Sequence, residues 1–172
     1  MIYRIAQPSD YQNIAKLHTT SWQENYQGMM AIDYLENRLL QDKQKIWKQR
    51  LTSHSPTQHI LLAEQDNKLC GFICVIANND EIYGSIIDNL HVDKNYKEQG
   101  IGTTLIKNSA LWLEQKYSTL GVYLEVLAGN TSAIAFYQSL GAEKQTEATW
   151  LAPCGSHIKE HIYGWKSPKN LL

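Results

Sequence analysis

The 172-residue sequence carries almost no net charge, 16 lysines and arginines standing against 17 acids for a formal −1. Such a balance creates no long-range field for nucleic acid or an anionic membrane, so neither is expected as a partner and recognition should be local. No apolar run approaches the roughly 20 residues of a membrane-spanning helix. No basic-then-apolar leader is read at the start, because Arg4 lies inside "MIYRIAQ" and Pro8 follows. A soluble, cytoplasmic protein is the expectation. Cysteine is scarce: Cys70, Cys74 and Cys154 are an odd number without CxxC spacing, which argues against a disulfide framework and fits a reducing compartment. Alternation would put Cys70 and Cys74 on one strand face as buried thiols. Linkers, repeats and low-complexity tracts are also missing. With 43% hydrophobic content, residues 1–172 are expected to form one domain around one core.

What is present is an alternation of strand-like and helix-like segments. "MIYRIAQ" reads as a strand, and Pro8, Ser9 and Asp10 supply helix-start chemistry before Ile14, Leu17 and His18 at helical spacing. A second helix is expected in "IDYLENRLLQDKQKIWKQRL", with Tyr34, Leu35, Leu39, Ile46, Trp47 and Leu51 as its apolar stripe. Polar residues from Ser53 to Gln58 end it. "HILLAEQ" and "LCGFICVIA" flank Asp66-Asn67-Lys68, a hairpin signal. "SIIDNLHV" then leads through "DKNYKEQ" to a helix from about Ile101 to Lys116, with Leu105, Ile106, Leu111 and Leu113 available to the core. "GVYLEVL" reads as a strand, "TSAIAFYQSLG" as a helix ended by Gly141, and the last thirty residues as two strands. Hairpins early and crossover helices later imply a mixed sheet in an α/β fold.

The stretch "NYKEQGIGTTLI" begins a helix with two glycines, each costing roughly 1 kcal/mol against alanine in a helix interior. A P-loop does not fit, since Leu105 stands five after Gly100 and no Lys-Ser/Thr pair follows. A dinucleotide fingerprint begins correctly with GxG, but Leu105 replaces the third glycine and seven residues separate Val92 from Gly100. A third reading makes "KEQGIG" an anion cradle, in which N–H groups at a helix N-terminus receive a pyrophosphate. A side chain at Gly100 or Gly102 would then stand between donors and phosphate, and Lys97 could reach the rim.

These residues resemble the GNAT superfamily of acetyl-CoA-dependent N-acetyltransferases. "LHVDKNYKEQGIGTTLI" is similar to that family's strand and loop leading into Arg/Gln-x-x-Gly-x-Gly/Ala at a helix start. Lys97 takes the Arg/Gln position, and Glu98 stands where a glycine is common. "LEVLAGNTSAIAFYQSLGAE" resembles the later block, an Asn before a helix carrying A-x-x-F/L-Y-x-x-x-G-F. Asn130, Ala133, Ala135, Phe136, Tyr137, Leu140 and Gly141 match, and Ala142 replaces the frequent aromatic. The resemblance implies a mixed, mostly antiparallel sheet of about seven strands flanked by about four helices, splayed between the strands containing "NLHV" and "YLEV". It implies acetyl-CoA as co-substrate, with the pantetheine arm paired in the gap. Leu90, His91 and Val92 would line it from one strand. Lys97, Glu98, Gln99, Gly100, Ile101, Gly102 and Thr103 would form the diphosphate loop, and Asn130, Ala133, Phe136 and Tyr137 the other side.

The implied chemistry is attack of a neutral amine on the thioester, a tetrahedral oxyanion, and departure of the CoA thiolate. An alkylamine with a pKa near 10 must lose a proton, and the leaving sulfur benefits from a donor. Tyr137 is the expected donor, the bland alternative being a core tyrosine. Glu125 is the first candidate base, lying twelve residues before Tyr137 as in the "LEVR-x-x-N...Y" pattern of the ribosomal-protein alanine N-acetyltransferases. Asp88 is the second, read as sharing a face with Leu90 and Val92 and pointing opposite to His91. Its alternative is a hydrogen-bonded acid at a strand bend, and a water chain could serve instead of either. His157 and His161 share a strand face but are too few for a metal, and none is expected.

The acceptor should be recognised by "HTTSWQENYQGMMAIDYL", which resembles the N-terminal segment of family members acting on small amines or amino acids. Trp22 and Tyr26 would line the pocket, unless they are core side chains, and Glu24 could bind a cationic amine. The strand after "EATWLAPCGSH" would add the other wall. The expected acceptor is a primary amine of a small molecule or amino acid, with a homodimer left open. The rival activities are acetylation of a peptide N-terminus or lysine, and a non-catalytic acyl-CoA-binding module.

Overall fold

A computed structural model describes residues 1–53, 55–117 and 120–172. Strand β1 (Ile2–Ile5) leads through a 3-10 turn at Pro8–Asp10 into α1 (Tyr11–Asn25). Asp10 is buried there, accepting the Gln7 N–H at 2.6 Å and a bidentate pair from Arg4, whose guanidinium also reaches Glu64. One cation therefore ties β1 to the helix entry and to the neighbouring strand. The second predicted helix opens with a wide π turn at Tyr34–Arg38 and continues as α2 (Leu39–Thr52). His54, within the polar stretch expected to end it, lies outside the described residues.

Strands β2 (Gln58–Gln65) and β3 (Lys68–Asp80) form the expected hairpin, Asp66 and Asn67 both taking positive φ as a two-residue primed turn requires. Strand β4 (Gly84–Val92) follows, then α3 (Ile101–Lys116), β5 (Val122–Leu127), α4 (Thr131–Ser139), β6 (Glu143–Leu151) and β7 (His157–Trp165). The sheet has seven strands in the order β1-β2-β3-β4-β5-β7-β6. Among the described strands only β4 and β5 pair in parallel, at Ser85–Val122 and Ile86–Tyr123. Beyond those two rungs the strands part, as the resemblance implied.

One face of the sheet packs against α3 and Tyr137 of α4 through Ile73, Val75, Leu105, Ile106, Leu124 and Val126. The other packs against α1 and α2 through Ile14, Trp47, Leu62 and Phe72. Four expectations change here. Leu111 and Ile46 are 42% and 41% exposed rather than core, Ala110 being buried beside the first. On α2 the inner position between Leu39 and Trp47 is taken by Lys43, only 6% exposed. Cys70 and Cys74 lie in opposite cores, because Ala63 pairs with Gly71 and Glu64 with Leu69, leaving Cys70 as an extra bulged residue. A second bulge at Asp88, between the Cys74–Asn89 and Val75–Ile87 pairs, reverses the alternation in β4. Asp88 therefore faces α2 on the same side as His91, while Leu90 and Val92 face α3.

Candidate active site

The parting of β4 from β5 opens a cleft of about 720 Å³ that runs through the sheet. From Ile87 to Val92 and from Leu124 to Leu127 the facing strand edges make no ladder with each other, which leaves backbone donors and acceptors turned toward the gap. One end of the cleft is the start of α3. Gly100 is its N-cap with φ of 76°, and the first helical hydrogen bond comes from Thr104, so the N–H groups of Ile101, Gly102 and Thr103 have no intrahelical acceptor. This arrangement, with the helix dipole behind it, suits an anion.

The glycines and their neighbour have separate reasons. At Gly100 nothing would obstruct a Cβ, so its need is conformational. At Gly102 a Cβ would come 3.3 Å from the Phe136 ring, so this residue also sets how closely α3 approaches α4. Glu98 holds φ of 62° without being glycine, a conformation that costs about 1 kcal/mol.

Of the residues expected to bind the cofactor, Leu90, His91, Val92, Lys97, Glu98, Gly100, Ile101, Gly102, Thr103, Asn130, Ala133, Phe136 and Tyr137 all line the cleft. Gln99 does not, its side chain turning back to the Asn95 carbonyl. Asn130 caps α4, its Oδ1 accepting the Ala133 N–H at 3.3 Å. Tyr137 is buried on the α3 face against Phe136 and Trp165. Burial, with Tyr26 nearby, pushes its hydroxyl further above the ordinary tyrosine range, so it remains a proton donor.

The opposite face carries the acids. Glu125 alternates away from Leu124 and Val126, opening into the cleft on the α1–α2 side. The cleft walls, then the charges of Asp88 and Asp80, raise its carboxyl above the usual range. Glu160 of β7 stands beside it and is raised by burial and by Glu125. Asp88 accepts from the Arg50 guanidinium and from Asn89, so its charge is compensated within the fold. Arg50 itself lies over Trp47, 5.2 Å from the ring.

Above these acids α1 and α2 lay an aromatic wall. Trp22 meets Tyr26 and Trp150 at 5.1 and 5.8 Å between ring centroids, so Trp22 and Tyr26 both pack and line the cleft. Trp150 of β6 supplies the other wall that the segment after it was expected to give. Glu24 is exposed and turns to Lys94 at 3.1 Å, outside the cleft. His18 and His91 lie ring to ring at 4.4 Å. Trp47 Nε1 donates to His18 Nδ1 at 3.1 Å, and Ser21 Oγ is 2.9 Å from His91 Nδ1. Lys43, Arg50 and Glu160 were not singled out from the sequence. For Lys43 the signal was its place four residues from both Leu39 and Trp47. Among the described residues no cluster of three metal-ligating side chains occurs, and no helix is long and apolar enough to cross a membrane.

Comparison with known proteins agrees with this geometry. The model of the acetyltransferase (GNAT) family matches residues 11–142. The uncharacterized N-acetyltransferase YuaI of Bacillus subtilis (strain 168) is 27% identical over 165 residues, 94% of this chain and 91% of that protein. The [ribosomal protein bS18]-alanine N-acetyltransferase of Escherichia coli (strain K12) is 34% identical over 82 residues, 48% of this chain and 53% of the relative. Among solved structures, PaiA N-acetyltransferase of Thermoplasma acidophilum in complex with coenzyme A superposes with a TM-score of 0.71 at 23% identity, covering 92% of this chain and 96% of that one.

Proposed function

Because the chain belongs to the GNAT acetyltransferase family, we propose that it transfers an acetyl group from acetyl-CoA to a primary amine of a small molecule. The observation that carries this reading is the open gap between β4 and β5, with an anion cradle at one end and Tyr137 inside it. Acetyl-CoA, when bound, supplies a thioester for the amine to attack and a thiol to release. The residues suit it: N–H groups of Ile101, Gly102 and Thr103 for phosphate, open strand edges for the amides of the pantetheine arm, and Lys97 at the rim.

On the α3 face, the Tyr137 hydroxyl is the group placed to give a proton to the departing sulfur. On the α1–α2 face, Glu125 is the acid placed to hold the amine and accept its proton. Its raised carboxyl narrows the gap to an ammonium and makes it a stronger candidate than Asp88, whose negative charge is already paired with Arg50. Asp88 keeps the Arg50 charge in place beside the cleft.

The reading is tested by incubating the purified protein with acetyl-CoA and an amine library while following free thiol. Amine-dependent release from small molecules is expected. Release that needs a peptide would move the acceptor to a protein N-terminus or lysine, and hydrolysis that no amine accelerates would make the chain an acyl-CoA binder.

The loop has its own test. Gly102→Val would push Phe136 and cover the helix N–H groups, so the dissociation constant for acetyl-CoA is expected to rise at least about tenfold. Glu98→Gly removes both a left-handed side chain and a negative charge beside the cradle, and should tighten binding a few-fold. Calorimetry decides both; equal affinity in wild type and Gly102→Val would remove the loop from the site.

A further inference from the structure

Acetyl transfer to a plain amine makes no demand on Lys43, yet α2 buries it at 6% exposure in the wall of the cleft. Its position in the helix's inner stripe would ordinarily be apolar. Among the described residues the ammonium has no hydrogen-bond or ion-pair partner, and it lies over the Trp22 ring, 3.3 Å from Nζ to the centroid. The charged and titratable groups around it are Asp42 and Arg50 on its own helix, Asp88 and His91 on β4, and His18 on α1. Asp88 is taken by Arg50. Burial therefore brings the Lys43 ammonium down to about 7. A buried cation without a partner is costly to hold.

His18 repeats the pattern. Trp47 donates to its Nδ1, so the neutral ring carries its proton on Nε2, and that N–H has no acceptor. The helix wall of the cleft thus holds an ammonium without an ion-pair partner and, beside it, a buried N–H without an acceptor, while the strand wall holds the acids Glu125 and Glu160. An acceptor that satisfies both walls bears an anion at one end and an amine at the other.

We propose that the acceptor is an amine carrying a carboxylate, as an amino acid does, with Lys43 taking the carboxylate beside His18 while Glu125 and Glu160 receive the amine. The inference rests on the acetyltransferase reading and narrows it. A polyamine would leave Lys43 unpaired, and the first residue of a peptide presents an amide where the carboxylate is needed. A single ammonium matches the single charge of a carboxylate better than the double charge of a phosphate.

The test compares kcat/KM for a panel of amino acids with that for their carboxamides, in wild type, Lys43→Met and Lys43→Arg. Taking each variant relative to wild type cancels the different basicities of the two amines. The preference for acid over carboxamide is expected to fall ten- to hundredfold in Lys43→Met, mainly through KM, as for loss of a hydrogen bond between charged groups. Lys43→Arg should keep most of it. Melting temperature and acetyl-CoA calorimetry establish that Lys43→Met is folded. A second readout is proton uptake when the best amino acid of the panel binds near pH 8, present in wild type and lost in Lys43→Met, because the carboxylate recharges the lysine. If Lys43→Met leaves the acid-to-carboxamide ratio unchanged while acetylation continues, the carboxylate site is overturned and the acetyltransferase reading stands. If neither amino acids nor their carboxamides are acetylated while another amine of the library is, the carboxylate site is likewise overturned and the acetyltransferase reading stands; if no amine at all accelerates thiol release, both fall.

Discussion

Tyr137→Phe is expected to lower kcat by roughly 10²–10⁴-fold, the range of general acid–base assistance, with acetyl-CoA affinity and stability nearly unchanged. The substitution removes one hydroxyl and leaves the ring against Phe136 and Trp165. Among the described residues the Tyr137 hydroxyl makes no hydrogen bond, so lost activity reports on the hydroxyl rather than on a broken fold contact. The deficit should shrink with an acyl donor whose leaving thiol is more acidic, since such a thiol needs less protonation. Glu125→Gln should behave differently: its rate recovers as pH rises and more of the acceptor becomes neutral, whereas the Tyr137→Phe deficit does not. A wild-type pH profile in Glu125→Gln together with an altered one in Asp88→Asn would make Asp88 the base. If neither variant alters the profile, solvent carries the proton and the enzyme supplies positioning.

The second large effect concerns acid. His18 and His59 are 4% and 8% exposed, and His91 is half-buried. Burial pushes His59 down to about 4 and His91 to about 3, and holds His18 well below the ordinary range; positive neighbours add to each. All three are neutral in the folded state at pH values where the unfolded chain, with histidines near 6.5, binds protons. Stability must therefore fall as pH drops below about 6.5, and continue to fall toward the folded values near 4 and 3. By pH 5 the two deeply buried rings together cost roughly 4 kcal/mol, with His91 adding less because it borders the cleft. Glu125 and Glu160, whose carboxyls are raised, act with the opposite sign at the acid end. Urea midpoints at pH 7, 6 and 5 should decline steeply. His59→Phe keeps a ring stacked on Trp112 and should remove that residue's share of the slope. Equal stability at pH 7 and pH 5 would contradict the burial of these rings as neutral groups.

Much of the fold is legible in the sequence because its signals are local. The Asp66-Asn67 turn and the boundaries of α3 follow from neighbours a few residues apart. The cleft's position follows from two blocks whose glycines and Asn130 are local devices of the same kind. Facing is not local. The bulges at Cys70 and Asp88 are set by pairing with β2 and β3, and each inverts a period-two expectation, for Cys70 against Cys74 and for Asp88 against His91. Lys43 was missed for a related reason. A lysine at helical spacing between Leu39 and Trp47 reads as solvated until Trp22 is brought over it from α1. Glu24, an attractive acid in a segment expected to bind the acceptor, is on the outer side of the same helix turn and meets Lys94 instead.

The two rungs joining β4 to β5 also divide the folding problem. Strands β1 to β4 follow one another across their half of the sheet, with antiparallel neighbours, and β5 to β7 make their own antiparallel set. Within the halves β2–β3, β3–β4 and β6–β7 are consecutive antiparallel neighbours with local contacts, which form quickly, whereas β1 reaches β2 only across α1 and α2. The parallel junction joins residues 85 and 86 to 122 and 123, so loop closure around α3 must precede it. The seam between the two leaves is then the same line as the cleft, and among the described strand pairs it is the one held by the fewest rungs, two against four or more elsewhere.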